Sequence, residues 1–428
     1  MKVLRYPEKS TWQGIVARPV FENGNLEATV SGILADVKKN GDRAVRKYTE
    51  RFDKAALESF AVTSAEFAAA EREVSTELKA AISQAKENIE IFHRAQIEKP
   101  ERIETAGGVV CWRESRAIER VGLYVPGGTA PLFSTVLMLG VPANIAGCSE
   151  TVLCSPPDET GKIHPAILYA AQLCGIGKVF KIGGVQAVAA MAYGTETVPR
   201  VYKIFGPGNQ FVTCAKQLVA REGVALDMPA GPSEVAVLAD ETAVPAFVAA
   251  DLLSQAEHGA DSQVLLVTTS ETVLENVLPE LETQLSALPR REMAAQSLEN
   301  SRAVLLADTN QAIELLNEYA AEHLILACRD DEAIAEKIIS AGSVFLGNYS
   351  CESAGDYASG TNHTLPTNGF AHVYSGVSLD SFVKKITFQK LSAEGLQNIG
   401  QAIETMAEAE GLEAHKNAVT LRLREIAK

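Results

Sequence analysis

The chain has 428 residues, enough for two domains or more, and its 46% hydrophobic and 22% charged side chains are ordinary for a globular protein. A net charge of −15 repels phosphate backbones and anionic lipid, which argues against nucleic acid and membrane surfaces as partners. The longest apolar runs, such as 243–250, fall short of a membrane span and the start MKVLRYPEKSTW lacks an apolar signal region, so a cytoplasmic location is expected. Seven cysteines with no CxxC pair suit neither a disulfide framework nor a zinc knuckle. Most are expected to be small buried hydrophobes, and Cys351, in a polar loop, is the one whose reactivity merits a test.

The first hundred residues read as helical. Thr63 stands three before Glu66, and Val74, Leu78, Ala81, Ile82, Ala85, Ile89 and Phe92 recur at helical intervals, predicting one long amphipathic helix that opens on a capping box. His93 closes it, where terminal carbonyls are the expected partners. Beyond Arg120, short β-branched runs alternate with helical patterns. Strands are predicted over 121–125, 151–154, 178–182, 201–205, 233–238, 263–268, 303–307, 323–327 and 343–346. Helices are predicted over 209–222, 244–256, 270–288, 309–319 and 331–339. That alternation implies parallel strands with crossover helices, an α/β fold in which the batches 121–233 and 234–346 can each build a sheet.

Gly-rich turns follow three strands of the first batch: Pro126-Gly127-Gly128, Gly183-Gly184 and Gly206-Pro207-Gly208-Asn209. Such turns aim backbone N–H groups from the carboxyl edge of a sheet, where a phosphate or dinucleotide can bind. They are also what tight βα connections need for packing alone, and no GxGxxG follows a strand. After the last strand, 347–366 (GNYSCESAGDYASGTNHTLP) has almost no large aliphatics yet carries Glu352, Asp356 and His363. A loop of this length needs a binding or catalytic purpose unless it is simply a solvated surface.

Gln255 and His258 lie three apart at the end of a helix, a spacing that can present two ligands to one metal. A histidine before Gly259 equally suits a helix end. Glu322-His323 stands where a helix leads into a strand and can serve as a proton-handling pair or as a cap. Glu410 and His415 lie near the C-terminus. Gln255, His258, Asp356 and His415 would together form a nitrogen and oxygen donor set suited to zinc or manganese, though spacing does not show that they meet.

The blocks GLYVPGG (122–128), FGPGNQFV (205–212), DMPAGPSEV (227–235), DLLSQAEHG (251–259), EHL (322–324), ESAGDYASGTNHTLP (352–366) and EGLEAHKNAV (410–419) span nearly the whole chain. Through them the sequence resembles the histidinol dehydrogenase family. The resemblance implies Gln255, His258, Asp356 and His415 as zinc ligands and Glu322 and His323 as the acid/base pair. It implies that Ser233 and Glu410, with Gln255, His258, His323, Asp356 and His415, contact substrate, and that Tyr124, Gln186 and Asn209 bind NAD. His363 receives no role. The implied fold is two Rossmann-like domains with a helical N-terminal segment and a C-terminal tail, in an intertwined homodimer whose tail reaches the partner's site. Its bounds would be an arm at 1–22, a first domain from 23–122 and 234–376 with the metal and catalytic residues, a second at 123–233 on the NAD side, and a helical tail at 377–428. The implied activity is oxidation of L-histidinol through L-histidinal to L-histidine, the last steps of histidine biosynthesis, with two NAD and one zinc ion per subunit. Two other readings are a relative acting on another polar alcohol, and a zinc hydrolase or binding module that never uses NAD.

Overall fold

The computed structural model describes residues 1–18, 25–127, 131–229 and 231–428. Residues 19–22 of the expected arm, its boundary at 22/23, Gly128 of the first Gly-rich turn and Ala230 of the DMPAGPSEV block lie outside the described residues. In chain order the strands are β1 (Lys2–Arg5), β2 (Arg102–Ala106), β3 (Val109–Ala117), β4 (Arg120–Tyr124) and β5 (Glu150–Ser155). They continue with β6 (Lys178–Lys181), β7 (Lys203–Phe205), β8 (Ala225–Leu226), β9 (Glu234–Ala239) and β10 (Gln263–Thr268). The last four are β11 (Arg302–Leu305), β12 (His323–Ala327), β13 (Ser343–Leu346) and β14 (Val383–Leu391).

Each predicted batch of strands builds one parallel sheet. The first has the order β6-β5-β4-β7-β8 and the second β1-β11-β10-β9-β12-β13. Within each batch the order is third, second, first, fourth, fifth, the doubly wound arrangement in which the direction of winding reverses beside the first strand. β9 and β10 are buried at every position, as a strand covered by helices on both faces must be. Helix Phe133–Ala146 is buried continuously from Ser134 to Ala143, and an all-round apolar sequence forms a helix only in such a setting. The second sheet packs helices Pro245–Ala256, Glu271–Ala287 and Arg291–Glu299 on one face and Trp12–Val16 and Thr309–Tyr319 on the other.

Several expectations need correction. The N-terminus is not wholly helical: β1 adds an edge to the second sheet beside β11. The predicted long helix is two, Ser64–Glu73 and Thr76–Arg94, because Ser75 turns extended and its hydroxyl accepts from Leu78 N–H, starting a new helix. The Thr63–Glu66 capping box forms as predicted. The expected helical tail 377–428 includes β14, which pairs antiparallel with β3 over nine residues.

The chain forms two compact units, Met1–Ala95 with Glu119–Phe382, and Gln96–Ile118 with Val383–Lys428. Both parallel sheets lie in the first, so these units divide the chain differently from the predicted bounds. The second unit contains the antiparallel sheet β14-β3-β2 and helices Ala393–Ala409 and Glu413–Ile426. Trp112 and Phe388, opposite in register, stack there with ring centroids 5.3 Å apart.

Candidate active site

A cleft of about 540 Å³ runs through the first unit. One wall is the carboxyl edge of the first sheet: Pro126 and Gly127 after β4, and Gly206 to Asn209 after β7. The other wall comes from the amino edge of the second sheet, with Ser233 just before β9 and Glu322 just before β12. His258, Tyr357, His363 and Thr364 line it as well.

The turn after β7 is built for close approach. Gly206 has φ +118°, and a Cβ there would stand 2.0 Å from the Tyr124 carbonyl oxygen, so no other residue fits. Buried Lys216 donates to Gly206 O (2.8 Å) and pairs with Asp227, whose carboxylate accepts from Gly206 N–H (2.7 Å). Asn209 spends its side-chain oxygen capping helix Gln210–Ala220 through Phe211 and Val212 N–H. Tyr124 and Gln186 come together one turn away. The Tyr124 hydroxyl accepts from Gly184 N–H (3.1 Å), and Gln186 donates to Asp53 (3.3 Å). Both are buried, and only Asn209 of the three lines the cleft.

Parallel pairing sets the second wall. In register, His323 of β12 faces Val235 of β9 and Ser343 of β13, which brings Glu322 and His323 against Glu234. Glu322 Oε2 accepts from Glu234 N–H (2.9 Å) and from Gln255 Nε2 (3.2 Å). His323 Nδ1 lies 3.3 Å from the Glu234 carbonyl. A carbonyl only accepts, so Nδ1 carries the proton in that contact and Nε2 is the nitrogen left for other work. Nε2 sits 3.4 Å from Asp356 Oδ1.

The polar segment 347–366 is not a solvated loop. It contains the short helix Glu352–Tyr357, and Glu352, Asn362 and Thr364 are buried. Ligand atoms of His258, Glu352 and Asp356 all lie within 4.8 Å of one another. Ser254 donates to Glu352 (3.2 Å), and Asp251, its own pKa raised to about 6 by burial, accepts from the Glu352 N–H. His363 is fixed between the Asp356 carbonyl (2.9 Å to Nδ1) and the Thr135 hydroxyl (3.0 Å to Nε2). Burial lowers its pKa, so it is a neutral prop under the Asp356 turn.

Charge is crowded here. Burial favours neutral His323, but the carboxylates of Glu322, Glu352 and Asp356 outweigh it and raise the imidazole pKa well above its usual value. Burial would raise Asp356, yet its contact with His323 wins and lowers it. Glu352, chiefly through burial and then through repulsion from Asp356 and Glu322, is raised. Gln255 Oε1 and Glu352 Oε1 find no hydrogen-bond partner among the described residues, and His323 Nε2 has only the long 3.4 Å contact with Asp356; buried polar atoms are seldom left so. These atoms, with His258 and Asp356, form a nitrogen and oxygen set that fits a borderline divalent cation such as zinc.

Of the residues singled out in the sequence, Gln255, His258, Glu322, His323 and Asp356 thus gather at one site, with Ser233 and Asn209 along the same cleft. Glu410 and His415 belong to the second unit, where both are exposed, Glu410 ending helix Ala393–Ala409 and His415 early in Glu413–Ile426. Cys351 is exposed, and only Cys154, Cys174 and Cys328 are buried. Sequence reasoning missed Arg18, Glu234 and Asp251. Glu234 had a legible signal, a carboxylate opening the apolar run EVAVLA. Arg18 had none.

Residues 16–423 match the family model described as histidinol dehydrogenase. The chain is 62% identical over 428 residues, all of both chains, to a histidinol dehydrogenase of Bacteroides fragilis. It is 61% identical to one of Bacteroides thetaiotaomicron over 423 residues, 99% of each. The crystal structure of histidinol dehydrogenase from Elizabethkingia anophelis, 57% identical, matches with a TM-score of 0.99 over 100% of this chain and 99% of that one. On the family match, on these identities and on the shared fold, the chain belongs to the histidinol dehydrogenase family.

Proposed function

We propose that this enzyme oxidises L-histidinol to L-histidine through L-histidinal, using two NAD, one zinc ion per subunit and an active site completed by a second copy of the chain. The observation that carries the reading is the cluster of His258, Glu352 and Asp356, whose ligand atoms lie within 4.8 Å of one another, with His323 Nε2 3.4 Å from Asp356. Gln255, His258, Asp356 and His415 would hold zinc, which would supply orientation of the substrate, and Tyr124, Gln186 and Asn209 would hold NAD, which would supply the hydride acceptor.

The chain's own groups then divide the proton work. With a cation's charge at the site in place of its own proton, His323 would be neutral, and Nε2, its partner nitrogen pinned on Glu234, would accept the alcohol proton as the C–H hydride departs. Glu322 has Oε2 committed to two N–H donors and lines the cleft, so its Oε1 suits activation of the water that hydrates the aldehyde. Loss of a second hydride from the hydrate gives the carboxylate. Ser233, on the same wall, holds substrate, and Glu410 and His415 of a second subunit would close the site against bulk water, retaining the aldehyde. Among the described residues no helix is long and apolar enough to cross a membrane, in keeping with the cytoplasmic location we assign.

The test is NADH formation with histidinol by zinc-loaded protein, run to completion. Two NADH per histidinol supports the reading, one shows an alcohol oxidation that stops at the aldehyde, and none overturns it.

A further inference from the structure

Both members of the Glu322–His323 pair depend on the main chain of one residue. Glu234 N–H donates to Glu322 Oε2 at 2.9 Å, and Glu234 C=O receives His323 Nδ1 at 3.3 Å. A shift of this single residue would move the carboxylate and rotate the imidazole together. Its side chain is therefore the place to look for what fixes it.

That side chain is buried and gripped. Arg18 donates Nε to Oε1 and Nη2 to Oε2, each at 2.9 Å, and Asn368 N–H adds a third bond to Oε1 at 2.8 Å. The guanidinium is itself immobilised. It stacks 3.8 Å over the Tyr319 ring, donates Nη1 to Val16 O at 3.0 Å and Nη2 to the Tyr319 carbonyl, and the Tyr319 hydroxyl donates to Gln263 at 3.0 Å. A planar fork with five fixed donors can meet both carboxylate oxygens and a ring face at once, and a lysine cannot.

Building on the function proposed above, we infer that Arg18 is a positioning residue: by clamping Glu234 it sets the orientation of Glu322 and the ring of His323 without touching substrate, cofactor or metal. A bystander ion pair would also stabilise the fold, so the test must separate orientation from stability. Arg18→Met and Arg18→Lys are compared in the full-length enzyme with zinc content and melting followed in parallel. Misplacing a catalytic group by about 1 Å costs on the order of 10²-fold. The expected result is kcat on histidinol lowered about 10²-fold in Arg18→Met and about 10-fold in Arg18→Lys, which keeps the charge but not the fork. KM and zinc content should stay within about twofold. A folded Arg18→Lys enzyme with wild-type kcat, or losses confined to KM, zinc or melting temperature, overturns the inference. Should Arg18→Met fail to fold, Arg18→Lys alone decides. If the wild type does not oxidise histidinol, the functional reading falls first. The inference is then judged on the crystal structure of Arg18→Lys, where unmoved Glu322 and His323 side chains overturn it.

Discussion

Gly342 stands just before β13, directly beside the Glu322–His323 pair at the start of β12. Its N–H donates to Ala321 O, the next residue's N–H donates to Glu322 O, both at 2.9 Å, and a Cβ at 342 would lie 2.5 Å from that same Glu322 oxygen. An ordinary carbon–oxygen contact needs about 3.3 Å, so Gly342→Ala must push the two strands about 0.8 Å apart locally. Leu365, 3.1 Å from the added carbon, blocks an easy retreat. Overpacking of this kind costs about 1–3 kcal/mol, and a displacement approaching 1 Å in a reacting group costs up to about 10²-fold in rate. Gly342→Ala should therefore lower kcat about 10- to 10²-fold at unchanged zinc content, with a denaturation midpoint moved only modestly. Gly177→Ala is the control, since nothing lies within 4 Å of a Cβ there. Steady-state NADH kinetics with metal analysis decides the matter. Wild-type kcat in Gly342→Ala would show that the strand carrying Glu322 is not held as tightly as these contacts require.

His258→Ala or Asp356→Ala should lose zinc and turnover together, while zinc uptake by the wild type releases protons from the raised Glu352 and His323 groups; full zinc content and normal activity in either variant would remove that residue from the site. His323→Asn should keep zinc and lose about 10²-fold or more in the alcohol step, whereas Glu322→Gln should slow histidinal oxidation more than histidinol oxidation, and the reverse pattern in half-reactions refutes the division of roles. Mixing inactive His415→Ala with inactive His258→Ala subunits should restore some turnover, because one site of a mixed dimer is intact; confirmed subunit exchange without recovery would place His415 in its own subunit's site. Burial raises the Asp53 carboxyl to about 6 against hydrogen bonds from Gly183 and Gln186, so its contribution to stability is present below about pH 4 and is lost as pH rises through about 6. Asp53→Asn should consequently gain stability relative to wild type across that window, and a difference that stays flat with pH in denaturant titrations refutes it.

The parallel strands were legible because each is an apolar β-branched run bounded by turn residues, and their batches became the two sheets. Local pattern could not reveal β14 and β3, whose half-exposed residues mix charged and apolar side chains and take their order from pairing across more than 260 positions. Nor could it reveal which edge of the second sheet faces the cleft. Gly-rich turns advertise a carboxyl edge, as they do after β4 and β7, whereas the wall bearing Glu322 is an amino edge and has no such punctuation. The pair itself was visible as an acid and an imidazole at a strand start. Its support was not, because Arg18 and Glu234 are 216 residues apart and only the folded chain makes them neighbours.

Charge balance bears on what this amino edge can hold. Glu234, Glu322, Glu352 and Asp356 put four carboxylates into a largely buried volume, and Arg18 supplies one cation, leaving three negative charges without compensation while His323 is neutral. A low-dielectric interior does not tolerate that surplus. Without further positive charge the protein relieves it by protonation, which is the physical meaning of the raised Glu352 and His323 groups. A divalent cation beside His258 and Asp356 would supply two of the three missing charges in place of those two protons. Arg18 cannot take that part, because its fork is spent on Glu234. One carboxylate is thus neutralised permanently to hold the geometry, and the other three remain available to a cation, a proton or a positively charged substrate group.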